Sequence, residues 1–145
     1  MSQRKPAWVL AILLISVCAA AMDQKSTPVV KHVTIKSTSA VSGHEMYTTY
    51  CATCHGTDGK GGGPAASALK VPPSDLTLLS KSNRGKFPSD RISAVLSGTA
   101  ALPAHGSKDM PIWGHLFWSV SHGSSGEVHL RMQNLTQYIE SLQEK

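Results

Sequence analysis

The sequence predicts an all-α domain of three main helices, with Gly/Pro-rich loops wrapped around something that is not protein. Three observations predict it. Two capping boxes, Ser42-Gly43-His44-Glu45 and Ser124-Ser125-Gly126-Glu127, each open a helical segment. No convincing β-pattern runs through residues 42–145. And short helices on roughly 100 residues bury too little apolar surface for a self-sufficient core. A bound cofactor would fill the deficit.

Taken in order, residues 1–21 read as a signal peptide. Arg4 and Lys5 form a positive start, Trp8 to Cys18 is apolar, and Ala19-Ala20-Ala21 offers small residues for cleavage. The apolar run falls short of the ~20 residues of a membrane span. The expectation is export, to a periplasm or cell surface. Ile15-Ser16-Val17-Cys18 also looks like a lipobox, with Val17 where a small residue is usual. In that version the signal ends before Cys18, which carries a lipid anchor. Residues 22–41, rich in Ser, Thr and Lys and interrupted by Pro28, read as a flexible leader or tether. The domain is then 42–145.

The first helix should run from Gly43 to about Cys54, with Gly43, Tyr47 and Cys51 on one face. The second begins near Ser89, after Pro88. Ile92, Val95 and Leu96 form its apolar stripe, and Gly98 ends it. The third begins after Ser124 and carries Val128, Met132, Leu135, Ile139 and Leu142 on one face nearly to the C-terminus. Gly59 to Pro64 and Pro72-Pro73 exclude helix interior.

Cys51-Ala52-Thr53-Cys54-His55 is C-x-x-C-H, the attachment signature of c-type haem. Thiols three apart at a helix end reach two vinyl groups of one porphyrin, and the following His is carried beneath the iron. A redox dithiol would want a βαβ setting. A zinc site would want a second Cys or His pair at finger spacing. The sequence offers His105, His115 and His122 but no second C-x-x-C. A sixth iron ligand is available in Met110, in the loop Asp109-Met110-Pro111-Ile112-Trp113-Gly114. Met1 and Met22 belong to the leader, Met46 and Met132 suit helix packing, and Met110 alone has no packing period to explain it.

These residues carry a resemblance. Residues from about 42 to 143 resemble a class I cytochrome c, the small monohaem carrier. Gly43 and Tyr47 match the small and aromatic positions where the family's N-terminal helix crosses its C-terminal helix, and Leu135-Thr136-Gln137-Tyr138 matches the answering pair. Gly63-Pro64 matches the pair that offers a carbonyl to the iron-bound histidine, and the pattern around Met110 is also familiar. The resemblance implies the cytochrome c fold around one covalent haem c, with thioethers at Cys51 and Cys54, His55 and Met110 as axial ligands to iron, and the Pro64 carbonyl on His55. Pro73 and Leu76 would line the haem loop. Trp113 and Arg84 would belong to the haem pocket, with Lys86 and Arg91 as further propionate candidates. The segment His115 to Gly123 is longer than the family's minimal connection, so Leu116, Phe117 and Trp118 would form either an extra short helix over the haem or a patch for a partner.

The implied function is one-electron transfer between exported or membrane redox partners, not catalysis. The alternative is the haem c subunit of a periplasmic dehydrogenase or oxidase complex. The chain of 145 residues has net charge +5, which invites a nucleic-acid reading. Residues 42–145, however, hold six Lys and three Arg against eight carboxylates. The basicity sits in the signal and leader, which excludes nucleic acid as the expected partner. A monomer follows, meeting a membrane only through lipid at Cys18, with Lys60, Lys70 and Lys108 as candidates to steer acidic redox partners.

Overall fold

The computed structural model describes residues 35–100 and 110–144. The predicted signal, Cys18 and Lys108 lie outside them. Among the described residues there are helices and no strand, as the sequence predicts, and no helix is long and apolar enough to cross a membrane. The order is α1 (Gly43–Met46), a π-helical turn (Tyr47–Cys51), α2 (Ala52–His55), 3-10 turns at Ala66–Ala68 and Leu76–Leu78, α3 (Leu79–Ser82), α4 (Ser89–Ser97), α5 (Trp113–Val120) and α6 (Ser125–Ser141).

Both N-caps hold by half. Ser42 Oγ accepts from the Glu45 amide at 3.1 Å, and Ser124 Oγ from the Glu127 amide at 3.3 Å. The returning bonds expected of the two glutamates go elsewhere. Glu45 accepts from the Ser39 amide at 3.1 Å, and Glu127 pairs with Arg131 at 2.7 Å. The reason is the same in both. The cap amides are already spent on turns, Ser42 N–H on Ser39 O and Ser124 N–H on Ser121 O, so neither glutamate has an orphan donor to serve.

The predicted uninterrupted first helix is instead α1 and α2 joined through the π-turn. The wider turn adds a residue to the register. It leaves Gly43 and Tyr47 facing α6 while Cys51 lines the cleft described below. Gly43 is where α1 touches α6: a Cβ there would collide with the Asn134 carbonyl and stand 2.7 Å from Tyr138 Cβ. One turn on, the Tyr47 and Tyr138 rings lie 5.2 Å apart. Tyr47 is fully buried, and its hydroxyl donates to Gly56 O at 2.7 Å. Met46, Leu96, Phe117, Met132, Leu135 and Ile139 complete the core, so Met46 and Met132 do pack as their helix positions predict.

The extra helix expected near 116–118 is α5. It drives Phe117 into the core beside Tyr50 and Trp113 and leaves Trp118 half exposed.

The last part of the expected tether is not free. The Tyr50 hydroxyl donates to Lys36 O at 2.6 Å and lies 3.1 Å from Thr38 Oγ1. Thr38 Oγ1 in turn accepts from Arg131 at 3.1 Å. Asn134 donates to Ala40 O at 3.0 Å. Arg131 is 2% exposed and donates also to Ser121 Oγ and Glu127, so each of its three nitrogens has a partner. A buried guanidinium is tolerated because its donors are met. The packed unit therefore reaches back to about Lys36, several residues before the predicted start at 42.

Candidate functional site

A cleft of about 300 Å³ opens between two walls. One wall is the helix carrying Cys51 and His55, together with the loop Ser74-Asp75-Leu76, Leu79 and, from α6, Ile139. The other is α4, through Arg91, Ile92, Val95 and Leu96, with Met110 beside it and Ser82, Asn83 and Pro88 at the rim. Cys51, His55 and Met110, distant in sequence, thus line one cavity. Cys54 is half-buried next to them, and Cys51 and Cys54 are not bonded to each other.

His55 is buried at the end of α2. Its Nδ1 lies 3.1 Å from the Ser74 carbonyl. A carbonyl can only accept, so the contact places a proton on Nδ1. The carbonyl expected here was that of Pro64, which is instead exposed. The chain after His55 explains the difference. Gly61, Gly63 and Ala65 turn their amides onto the carbonyls of His55, Cys54 and Thr53 and so close the end of the helix. That loop is used as a cap, and the Pro72-Pro73-Ser74 stretch supplies the carbonyl to the ring.

Burial, with the neighbouring Cys54 thiol adding, pushes the Cys51 thiol up to about 12. A thiol held neutral is a poor thiolate for redox exchange or zinc. No cluster of three or more metal-binding side chains occurs among the described residues. The raised thiol weighs against a redox dithiol. Burial also raises the Tyr47 hydroxyl, with Cys51 nearby contributing, so it remains a donor to Gly56 O.

Met110 faces the cleft from a fixed shoulder. Gly98 ends α4 with φ +78°, and a Cβ there would stand 2.5 Å from Ile112 Cγ2. Gly114 backs onto Ser97: a Cβ on it would stand 3.1 Å from the Ser97 carbonyl oxygen. These approaches set Ile112 and Gly114, and Met110 lies just ahead of them.

The expected pocket residues divide. Leu76 lines the cleft; Pro73 does not, though its neighbour Ser74 does. Arg84 does not reach it: it is exposed in the left-handed part of the turn after α3, at φ 57°. Arg91, one helix on, lines the cleft instead, and Lys86 is exposed and does not. Trp113 is buried against Tyr50, ring to ring at 5.5 Å, outside the cleft lining. Its Nε1 is buried with no hydrogen-bond partner. An indole N–H so placed costs about 1–3 kcal/mol unless a group that is not protein accepts it.

Sequence reasoning missed the Ser74 carbonyl and the Arg131 network. The second left a signal: Arg131 lies three residues after Val128 and four before Leu135, inside the apolar stripe of α6, and Glu127 stands one turn before it. The first left none, because a backbone carbonyl has no residue type.

The family model described as cytochrome c oxidase, cbb3-type, subunit III matches residues 38–121. Searches of curated proteins and of solved structures gave no match. The matched span is more than half of the chain. It begins at the Thr38 that the fold buries and contains Cys51, Cys54, His55 and Met110. The chain belongs to this family of c-type cytochrome domains, and its domain is a haem c electron-transfer domain that works with redox partners.

Proposed function

We propose that the domain is a one-electron carrier holding a single covalent haem c, bound through thioethers at Cys51 and Cys54 and ligated by His55 and Met110. The observation that carries this reading is the shared cleft: Cys51 and His55 of the C-x-x-C-H segment line it together with Met110. The haem, once bound, supplies a reversible one-electron couple.

The protein residues do the rest. Ser74 holds the His55 ring by its Nδ1 proton, which fixes its orientation and raises the basicity of Nε2. Ile92, Val95, Leu96 and Leu79 keep water from the cleft and lower its dielectric. Met110 offers a soft thioether, a ligand that favours the reduced state. Arg91 would donate to a propionate. His55 and Met110 would both be spent on the iron, and a haem so held would serve electron transfer.

Export is part of the reading, since thioether attachment suits a compartment beyond the cytoplasm and residues 1–21 have the form of an export signal. The mature protein is periplasmic, free or held by lipid at Cys18, and monomeric. Mass spectrometry of the mature N-terminus separates the free and lipid-bearing forms.

The test is the absorption spectrum of chain matured in a periplasm, with a haem stain after denaturation. A c-type spectrum and a stain that survives denaturation are expected; no covalent haem would end the proposal. Met110→Ala should then abolish the methionine-to-ferric-iron charge-transfer band and lower the potential. An unchanged spectrum and potential would remove Met110 as ligand.

The second reading, a haem c subunit of an oxidoreductase complex, is favoured by the family's description as an oxidase subunit. Stoichiometric co-purification with an oxidase or dehydrogenase subunit would select it. A monomer that exchanges electrons with many partners would select the free carrier.

A further inference from the structure

The residues that present the Ser74 carbonyl to His55 are themselves held by the C-terminus. Asp75 Oδ1 accepts from Thr77 N at 2.8 Å and from Thr77 Oγ1 at 2.6 Å, which turns the chain directly after Ser74. Leu76 N–H donates to Gly59 O at 2.7 Å. Three bonds then come from beyond α6. The Gln143 amide uses both of its ends on this one segment: Nε2 donates to Leu76 O at 2.7 Å, and Oε1 accepts from Ser80 N at 2.8 Å. Nε2 also donates to Ile139 O at 2.9 Å, which ties the side chain to its own helix. Next to it the Glu144 amide donates to Thr77 O at 3.0 Å.

Gln143 is thus a two-ended clip between the C-terminal helix and residues 76–80, which follow the carbonyl on the histidine and line the cleft through Leu76 and Leu79. No other side chain among the described residues makes two hydrogen bonds of opposite sense to this segment. A glutamine is needed for it. Ser80 N requires an acceptor and Leu76 O a donor, and a carboxylate or an ammonium group would leave one of them unmet.

We infer that Gln143 is a positioning residue for His55, setting through the 76–80 segment the strength of the Ser74 carbonyl bond to Nδ1 and with it the reduction potential. The inference rests on His55 being the iron ligand. A carbonyl pressed against Nδ1–H makes the imidazole more electron-donating and favours the ferric state. Loosening the clip should therefore raise the potential.

The experiment uses the full chain matured in a periplasm and starts with the wild type. If the wild type carries no covalent haem, or its spectrum shows no histidine ligation, the ligation reading fails whatever Gln143 does. With ligation in hand, Gln143→Ala is compared with Gln143→Glu and with Gln137→Ala, which removes an exposed glutamine from the same helix. Hydrogen exchange by NMR and the reduction potential are the readouts. In Gln143→Ala the Ser80 amide and the His55 Nδ1 proton should both exchange roughly tenfold faster, the factor of one ordinary hydrogen bond. The potential should rise. Gln143→Glu keeps the acceptor for Ser80 but loses the donor to Leu76, and should shift the potential in the same direction with Ser80 still protected. Gln137→Ala should leave all three readouts alone. A potential and an Nδ1 exchange rate equal to wild type in either Gln143 variant overturn the inference, even where thermal stability falls. Should neither variant accumulate, the wild type decides. Ser80 amide and His55 Nδ1 protons opening at a common rate support the coupling; rates differing by more than about tenfold refute it.

Discussion

The two walls of the cleft are built by different means. The His55 wall is fixed by hydrogen bonds of the backbone: three amides of the following loop close the helix, the Ser74 carbonyl holds the ring, and α6 crosses at Gly43. The Met110 wall is fixed by close approach, with Gly98 against Ile112 and Gly114 against Ser97. Each device suits the atom it presents. An imidazole must be oriented about its ring plane, which a directional hydrogen bond achieves. A thioether has no such demand and needs only to be brought to the right depth, which steric contact achieves.

The largest test of this contrast is Gly43→Val. The added carbons meet the Asn134 carbonyl and Tyr138 Cβ, backbone and the base of a side chain, which cannot swing aside. Overpacking of this kind should cost about 3 kcal/mol or more. Because the α1–α6 crossing supports the His55 wall, the midpoint of denaturant unfolding should fall steeply, with loss of near-UV circular dichroism from Tyr47 and Tyr138. Near-wild-type stability would mean that the crossing is not what holds this wall.

Next is Arg131→Ala. It strands the buried Ser121 hydroxyl, takes one of the two partners of Thr38 Oγ1, and loosens the segment from Lys36 to Ser42. A loss of about 2–3 kcal/mol is expected, with faster proteolysis of that segment and little change at His55, whose supports lie elsewhere. Arg131→Lys should recover only part, since an ammonium cannot reach all three acceptors at once.

These two cases show what could be read from sequence and what could not. The crossing was legible through the resemblance, whose small and aromatic positions Gly43 and Tyr47 match and whose answering pair Leu135 and Tyr138 match. The helix starts were legible from Ser42 and Ser124, since a cap depends on residues three apart. Only half of each box formed, because the fate of a cap amide depends on a preceding turn that no side chain declares. Pro64 was the wrong carbonyl for a related reason. Loops rich in Gly and Pro are recognisable as loops, but which of two such loops arrives under the histidine is decided by which one caps the helix. The start at 42 was late because the Thr38 and Ala40 bonds come from Arg131 and Asn134, over 90 residues away in sequence.

Gly98→Ala tests the Met110 wall. At φ +78° an alanine is strained by about 1–2 kcal/mol, and its Cβ presses on Ile112. The stability loss should be smaller than at Gly43. Its signature should be different: the methionine charge-transfer band should shift or weaken while the hydrogen exchange of the His55 Nδ1 proton stays as in wild type. A shift of both together would show that the two walls are one mechanical unit and not two.

The smallest effect is expected at Lys60, and it sharpens the account of the His55 wall. Lys60 Nζ lies 3.2 Å from Glu144 Oε1, next to Gln143, and the contact raises the lysine's affinity for its proton. The pair looks like a third tie between the C-terminus and the loop after His55. Both partners, however, are about half exposed, and ion pairs in water are offset by desolvation, side-chain entropy and salt screening. The tie that matters at Glu144 is its backbone amide on Thr77 O, which no side-chain change removes. Lys60→Ala should therefore leave the thermal midpoint and the potential within error of wild type, at low and at high salt alike. A salt-dependent fall in stability on removing Lys60 would show that this wall relies on charge, where the geometry assigns it to hydrogen bonds between neutral groups.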